Sequence, residues 1–374
     1  MSDKAINQYR VTLTRISRLE PALAREIEAL AAVAIEVNAF YESWMLAPAL
    51  EHLTTPDLLL VTVHHVSAGL TGAFPFELTR LRGLPFRCLQ SWRHDYLFLC
   101  TPLVAREHAV QTIGALLDWS ASRKSPANVI ELNAVRDDGP FAAALREAMA
   151  ARPAFVEHVT SFERAMLDLR TDAEAGASHK HLKELRRQER RLADLGPLDY
   201  RALPVGEAPE PWIERFLTLE ARGWKGEEGT ALASETKSRA YFSNIARGAA
   251  DRGRLQMLEL TLNGTPVATK CNFVAGEGSF AFKIAHDEDH AKNSPGVLLE
   301  LFNMKYLKAE WPGLAWMDSC AKAQHFMINR LWPQRRAIAN HLICGRGLIT
   351  RALVRHAAHI AGLRPKLKAI LRRS

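Results

Sequence analysis

Two periods of apolar residues alternate along the 374-residue chain. After Pro21, the residues Leu23, Ile27 and Leu30 recur at helical spacing, and Ala39–Leu53 extends the helical pattern with Trp44 and Leu50. The run Leu58-Leu-Leu-Val-Thr-Val-His-His reads as a buried strand. Pro75–Arg80 and Phe86–Gln90 predict further short strands. A helix over about 105–121, a strand Val129–Asn133, a helix Pro140–Met149 and a strand Ala154–Val159 follow. Helices and strands in such alternation predict an α/β class, here with mixed sheets.

Beyond this region a strongly charged helix, His179–Leu195, stops at Gly196-Pro197. Then come a strand Leu198–Leu203, a helix Pro211–Arg222, a glycine-rich loop Gly223–Gly229 and a helix Ser234–Asp251. Strands Leu255–Leu262, Pro266–Ala275 and Ser279–Ala285 are joined by tight turns at Asn263-Gly264 and Gly276-Glu-Gly278. A helix Val297–Glu310, a strand Leu314–Asp318, a helix His325–Leu331 and a strand Arg336–Ile343 complete the series. The helix, strand, helix, strand order of residues 105–159 recurs over 297–343. The pattern predicts two similar domains, 1–170 and 198–345, joined by the charged helix of 171–197 and followed by a tail, 346–374.

Composition changes this picture little and charge changes it more. With 48% hydrophobic and 24% charged residues the chain is ordinary globular material rather than disordered or fibrous. The net charge of +8 is located at one end: of the 49 Lys and Arg residues, 12 follow Asp318 and no acidic residue does, so residues 1–318 carry a net −4. A protein that grips a phosphate backbone spreads its cations over the working surface, so general nucleic-acid binding is disfavoured. The tail intersperses Leu348, Ile349, Leu353, Ile360 and Leu363 with basic residues, which suits either a helix on an anionic membrane surface or one docked on the protein body. Five scattered cysteines, no signal-like N-terminus and no apolar stretch of about 18 residues point to a cytoplasmic protein, at most peripheral to a membrane.

The richest candidate chemistry lies around Lys292-Asn293-Ser294-Pro295-Gly296. Pro295 suits a first helical turn, and Gly296 lets a ligand approach the backbone. The amides of Val297 and Leu298, the helix dipole and the Lys292 charge then form an expected anion site. Asp318, at the end of its strand, stands where open α/β sheets place ligand chemistry, although it also suits capping of the next turn. Gly223-Trp224-Lys225-Gly226 offers an aromatic ring between flexible glycines, a substrate contact or a core plug. Glu220 lies one helical turn before Trp224. His286-Asp-Glu-Asp-His290 bridges a strand and a helix start, so its two histidines do not share a helix face and no metal site is expected. Cys320 has no histidine partner legible by spacing and is disfavoured as a nucleophile.

The element order of the second domain, with Leu219-Glu-Ala-Arg-Gly-Trp-Lys-Gly-Glu-Glu-Gly-Thr-Ala-Leu and Lys283-Ile-Ala-His-Asp-Glu-Asp-His-Ala-Lys-Asn-Ser-Pro-Gly-Val-Leu-Leu, resembles the GNAT acyltransferase superfamily. Within it the chain looks like the acetyltransferases linked to cellulose and exopolysaccharide biosynthesis, which are similar in turn to Fem-type transferases with tandem GNAT domains. The usual pyrophosphate string R/Q-x-x-G-x-G/A is replaced by the Lys292–Gly296 string. The resemblance implies two tandem GNAT-like domains, the first without a donor site, and direct attack of an amine or hydroxyl on an acyl-CoA such as acetyl-CoA. It implies that Lys283, Ile284 and Ala285, with Lys292, Asn293, Ser294, Gly296, Val297 and Leu298, hold the donor, and that Trp224 and Lys225 wall a small-molecule or saccharide acceptor. Asp318, His286 and Glu220 are the candidate bases, and Ser319 and Tyr306 the candidate proton donors. Two rival readings follow: Fem-like transfer from an aminoacyl-tRNA, and a membrane-associated scaffold of GNAT shape without turnover.

Overall fold

The computed structural model describes residues 8–53, 57–81, 84–171 and 179–356, with the side chains of His179, Trp224 and Lys225 outside the described set. The chain runs β1 (Tyr9–Ile16), α1 (Pro21–Ala32), α2 (Ser43–His52), β2 (Leu58–His65), β3 (Gly69–Arg80), β4 (Arg87–Ser91), β5 (Leu103–Val104), α3 (Ala109–Ala121), β6 (Val129–Arg136), α4 (Pro140–Ala150) and β7 (Val156–Asp168). It continues with α5 (His179–Ala193), β8 (Leu198–Ala202), α6 (Glu210–Arg222), α7 (Trp224–Glu227), α8 (Thr236–Ala250), β9 (Leu255–Leu262), β10 (Thr265–Ala275) and β11 (Gly278–His286). It ends with α9 (Pro295–Glu310), β12 (Trp316–Asp318), α10 (Phe326–Leu331), β13 (Gln334–Cys344) and α11 (Leu348–Arg355). None of the described helices is long and apolar enough to cross a membrane.

Two compact units emerge among the described residues: those within 1–43, 55–162 and 337–374 form the first, and those within 44–54 and 163–336 the second. The first unit's sheet runs β1-β2-β3-β4-β6-β13. Its early strands are antiparallel hairpin neighbours, β4 and β6 pair in parallel over Cys88–Gln90, and β13 lies antiparallel to β6 from Ile338↔Arg136 to Cys344↔Val129. Phe74, Phe76, Ile113, Leu117, Phe141 and Leu145 fill the core between this sheet and α3 and α4.

The second unit's sheet runs β7-β12-β11-β10-β9-β8. Strands β8 to β11 form an antiparallel meander, β12 joins β11 in parallel, and the end of β7 joins β12 antiparallel. Leu258, Leu260, Leu298, Leu299, Leu307, Met317 and Trp332 make its core, with α9 laid on one sheet face.

The mixed α/β architecture expected from the pattern is present, with several differences. Strand β1 was not expected: its alternating burial at Tyr9, Val11 and Leu13 marks a strand half-open to solvent. The stretch expected as one helix over Ala39–Leu53 is a 3₁₀ turn, Ala39–Tyr41, followed by α2, and the loop expected at 223–229 contains the short α7. The last strand of the expected 198–345 domain pairs with β6, so residues 337–345 group with the first unit, while residues 163–168 of β7 complete the second. Of the tail, α11 is described and residues 357–374 lie outside the described residues.

Candidate active site

In the second unit two strands part. β11 pairs with β12 only at Gly278↔Trp316, Ser279↔Met317 and Phe280↔Asp318; β12 ends there, and β11 continues to His286. Its pairing with β10 slips between Cys271↔Lys283 and Asn272↔Ala281, leaving Phe282 as the extra residue of a bulge. A bulge re-aims the side chains on either side of it. The parting begins where Trp316 packs edge-on against Phe280, with centroids 5.5 Å apart, and where Gly278 leaves no room for a side chain, since a Cβ there would stand 2.2 Å from the Trp316 ring.

Beside the departing strand, Lys283 and Glu220 meet. Nζ of Lys283 lies 3.1 Å from Oε1 of Glu220, and Oε2 of Glu220 accepts a 2.9 Å hydrogen bond from the Leu232 amide. Glu220 is 2% exposed at the end of α6. A narrow cleft bordered by Glu220, Gly223, Ile284, Ala285, His286 and Glu288 opens next to this pair. His286 approaches Glu288 at 3.5 Å, and its ring stands against Gly296 at the start of α9.

Asp318 occupies a different setting. It is fully buried, with Oδ1 2.7 Å from Nε of Arg164 and Oδ2 2.8 Å from both Nη2 of Arg164 and Nη1 of Arg336; the Cys320 amide donates to Oδ1 at 2.9 Å. Burial pushes its carboxyl up, but the charges of Arg164 and Arg336 outweigh this and hold it below the usual carboxylate range. Such a group takes up no proton near neutral pH. Arg336 in turn stacks 3.9 Å over the Trp316 ring. Ser319 is buried, and its hydroxyl accepts from the Ala321 amide. Burial and the Asp318 charge push the Cys320 thiol well up, which removes nucleophilic character.

The start of α9 differs from the expected anion site. Ser294 is in the left-handed conformation, φ 52°, and its carbonyl accepts from Val297 at 2.9 Å and from Leu298 at 3.0 Å. Two amides expected to face a ligand are thus engaged by the helix itself, because the first turn tightens onto Ser294. Among the described residues no acceptor takes the Gly296 amide, and Lys292 is exposed. Asn293 donates to the Gln188 carbonyl on α5. Tyr306 stands apart from the Glu220 cleft: its hydroxyl accepts from Nε1 of Trp311 at 3.3 Å.

One feature was missed from sequence. Lys270 and Glu300 form a 2.8 Å ion pair, 3% and 1% exposed, and Asn303 ties Glu300 to Asn272. A lysine inside the apolar strand Val267–Val274 and a glutamate inside Val297–Phe302 were the available signal, since a buried charge requires a partner.

With this geometry in view, residues 179–326 match the family described as Acetyltransferase (GNAT) domain. A comparison with curated proteins gives no match. Among solved structures, FemX matches with a TM-score of 0.56 and 11% identity over 89% of this chain and 98% of its own. The C-terminal domain of an Agrobacterium fabrum protein named for lysylphosphatidylglycerol synthetase matches with a TM-score of 0.51 and 13% identity over 90% of this chain and 96% of its own. A Bacteroides thetaiotaomicron protein of unknown function gives 0.51 and 10% over 90% of this chain and 100% of its own. At these identities the structures share the fold alone, and the segment that holds the parted strands is the one that matches the GNAT acetyltransferase domain family.

Proposed function

We propose that the second unit moves an acyl group from an acyl-CoA, acetyl-CoA in the simplest case, to an amine or hydroxyl of a small-molecule or saccharide acceptor, in polysaccharide or cell-envelope metabolism. The observation that carries this reading is the parting of β11 from β12 after Phe280↔Asp318, with the Glu220–Lys283 pair 3.1 Å apart beside it. The donor supplies an activated acyl group. The backbone of Lys283, Ile284 and Ala285 orients it, while Gly296 with Lys292, Asn293 and Ser294 receives its phosphates; the side chains of Val297 and Leu298 pack the start of α9. Glu220 accepts the proton of the attacking group, and Lys283 holds Glu220 in place and offsets the negative charge that develops on the carbonyl oxygen. Asp318, held by two arginines, positions the end of β12 rather than acting as base. Tyr306 and Ser319 take no part in the proton transfer. Trp224 and Lys225, at the start of α7, remain the proposed acceptor wall.

Release of free thiol from acetyl-CoA across a panel of amine and sugar acceptors tests this. Wild-type turnover that survives in Glu220→Gln would remove Glu220 from the chemistry. A second reading, transfer from an aminoacyl-tRNA, gains from the engagement of the Val297 and Leu298 amides, which leaves fewer donors for a pyrophosphate. It predicts tRNA binding that weakens steeply with salt.

A further inference from the structure

Helix α5 carries a surface that the transfer chemistry leaves unused. Leu185 and Leu192 bury one side of it in the core of the second unit. On the opposite side Lys180, Lys183, Arg186, Arg187, Arg190 and Arg191 are all exposed. With about 3.6 residues per turn, these cations fall within an arc of about 140° and along about 16 Å of helix. The acidic residue that borders them, Glu184, pairs with Arg187 at 2.7 Å. Among the described residues that is the one ion pair on this face, and the other cations stand uncompensated.

A face that serves only to keep a protein in solution alternates its signs, so that neighbours one turn apart attract. Here Lys183 and Arg187, Arg186 and Arg190, and Arg187 and Arg191 stand one turn apart with like charge, which weakens a helix by itself. Lys180 lies in the first turn, where the helix dipole disfavours a cation, and no acidic residue accompanies it there. The stripe is not a sample of a generally basic body either, since residues 1–318 carry a net −4. An extended anionic partner removes the repulsion. Two observations favour a bilayer over a nucleic acid. The exposed arc holds no aromatic ring on which a base could stack, and a polynucleotide longer than the helix would run on over an acidic body. Lipid headgroups need only the face itself, and a cluster of Lys and Arg on an amphipathic helix attracts anionic lipid.

We propose that α5 docks the protein on an anionic phospholipid surface, through headgroup phosphates and without insertion of apolar side chains. The contact does not require acyl transfer. Flotation of the full chain with vesicles of phosphatidylglycerol and phosphatidylcholine in equal parts tests it. The wild-type protein should float, less so as salt rises, and should not float with phosphatidylcholine alone. Lys183→Gln, Arg187→Gln and Arg190→Gln together should weaken binding about tenfold or more with the tail intact. Glutamine keeps helix propensity, and thermal melting checks the fold. Glu184→Gln, which releases Arg187, should bind more tightly and serves if the triple variant folds poorly. Lys237→Gln, Arg239→Gln and Arg252→Gln together remove the same charge from the second unit outside α5 and should leave binding unchanged. No flotation of the wild type, undiminished binding by a folded α5 triple variant, an equal loss in the control variant, or binding to tRNA with none to vesicles overturns the proposal.

Discussion

Both carboxylate oxygens of Asp318 are held by guanidinium groups inside the protein. Removing one partner of a buried ion pair leaves the rest uncompensated, so Asp318→Asn should cost about 3–5 kcal/mol, read by urea denaturation. The carboxyl titrates below its unfolded value, so its contribution is complete above the ordinary carboxylate pKa and is lost only as pH falls through the lower folded value. A second group acts at milder pH. Burial and the Arg93 charge push the His94 imidazole down to about 3. The unfolded chain therefore binds the extra proton below about 6.5, and stability should decline as pH falls from there towards 3, by at most about 1.4 kcal/mol per unit. His94→Gln should flatten that limb of the stability profile; an unchanged limb would mean another group titrates there. For catalysis, Glu220→Gln should lower kcat by about 10²–10⁴-fold, whereas His286→Ala, beside Gly296, should chiefly raise the donor KM. Glu220 could be read from sequence as a candidate by its place one helical turn before Trp224, and Lys283 and His286 by the resemblance that sets their strand at the gap. The clamp on Asp318 could not, since Arg164 lies 154 residues earlier and no local pattern links them.

At the scale of elements, the parting of β11 and β12 depends on close packing at its root. Gly278→Val would drive a side chain into the Trp316 ring, and overpacking of this kind costs about 1–3 kcal/mol; the same change should lower transfer activity by more than the stability loss explains, because the strands would separate at the wrong place. Thermal melting and turnover on one preparation check both. The meander was legible because Asn263-Gly264, with both residues at positive φ, and Gly276 mark its turns. Helix boundaries were legible to within a few residues. The tight first turn of α9 was not, because the bonds of Val297 and Leu298 to Ser294 depend on a left-handed serine that the string Ser-Pro-Gly does not announce. Strand partnership was equally hidden: the repeat of residues 105–159 and 297–343 is visible in order, but nothing in β13 states that it lies against β6.

For the molecule as a whole, the tandem α/β layout followed from element order, and the GNAT likeness of residues 179–326 from the strings around Trp224 and Lys283. The positive charge past Asp318 has no acidic counterweight in sequence, and on the described part of the tail Leu348 and Ile349 are exposed. If this segment meets anionic lipid, flotation with phosphatidylglycerol vesicles should weaken on truncation at residue 346 and with added salt. The central claim, that an acyl donor lies where β11 leaves β12, is tested most directly by hydrogen exchange of the full chain with and without acetyl-CoA. Slower exchange confined to peptides spanning 281–286 and 294–298, with β9 unaffected, is the predicted result. Unchanged exchange in both stretches at saturating donor would contradict it.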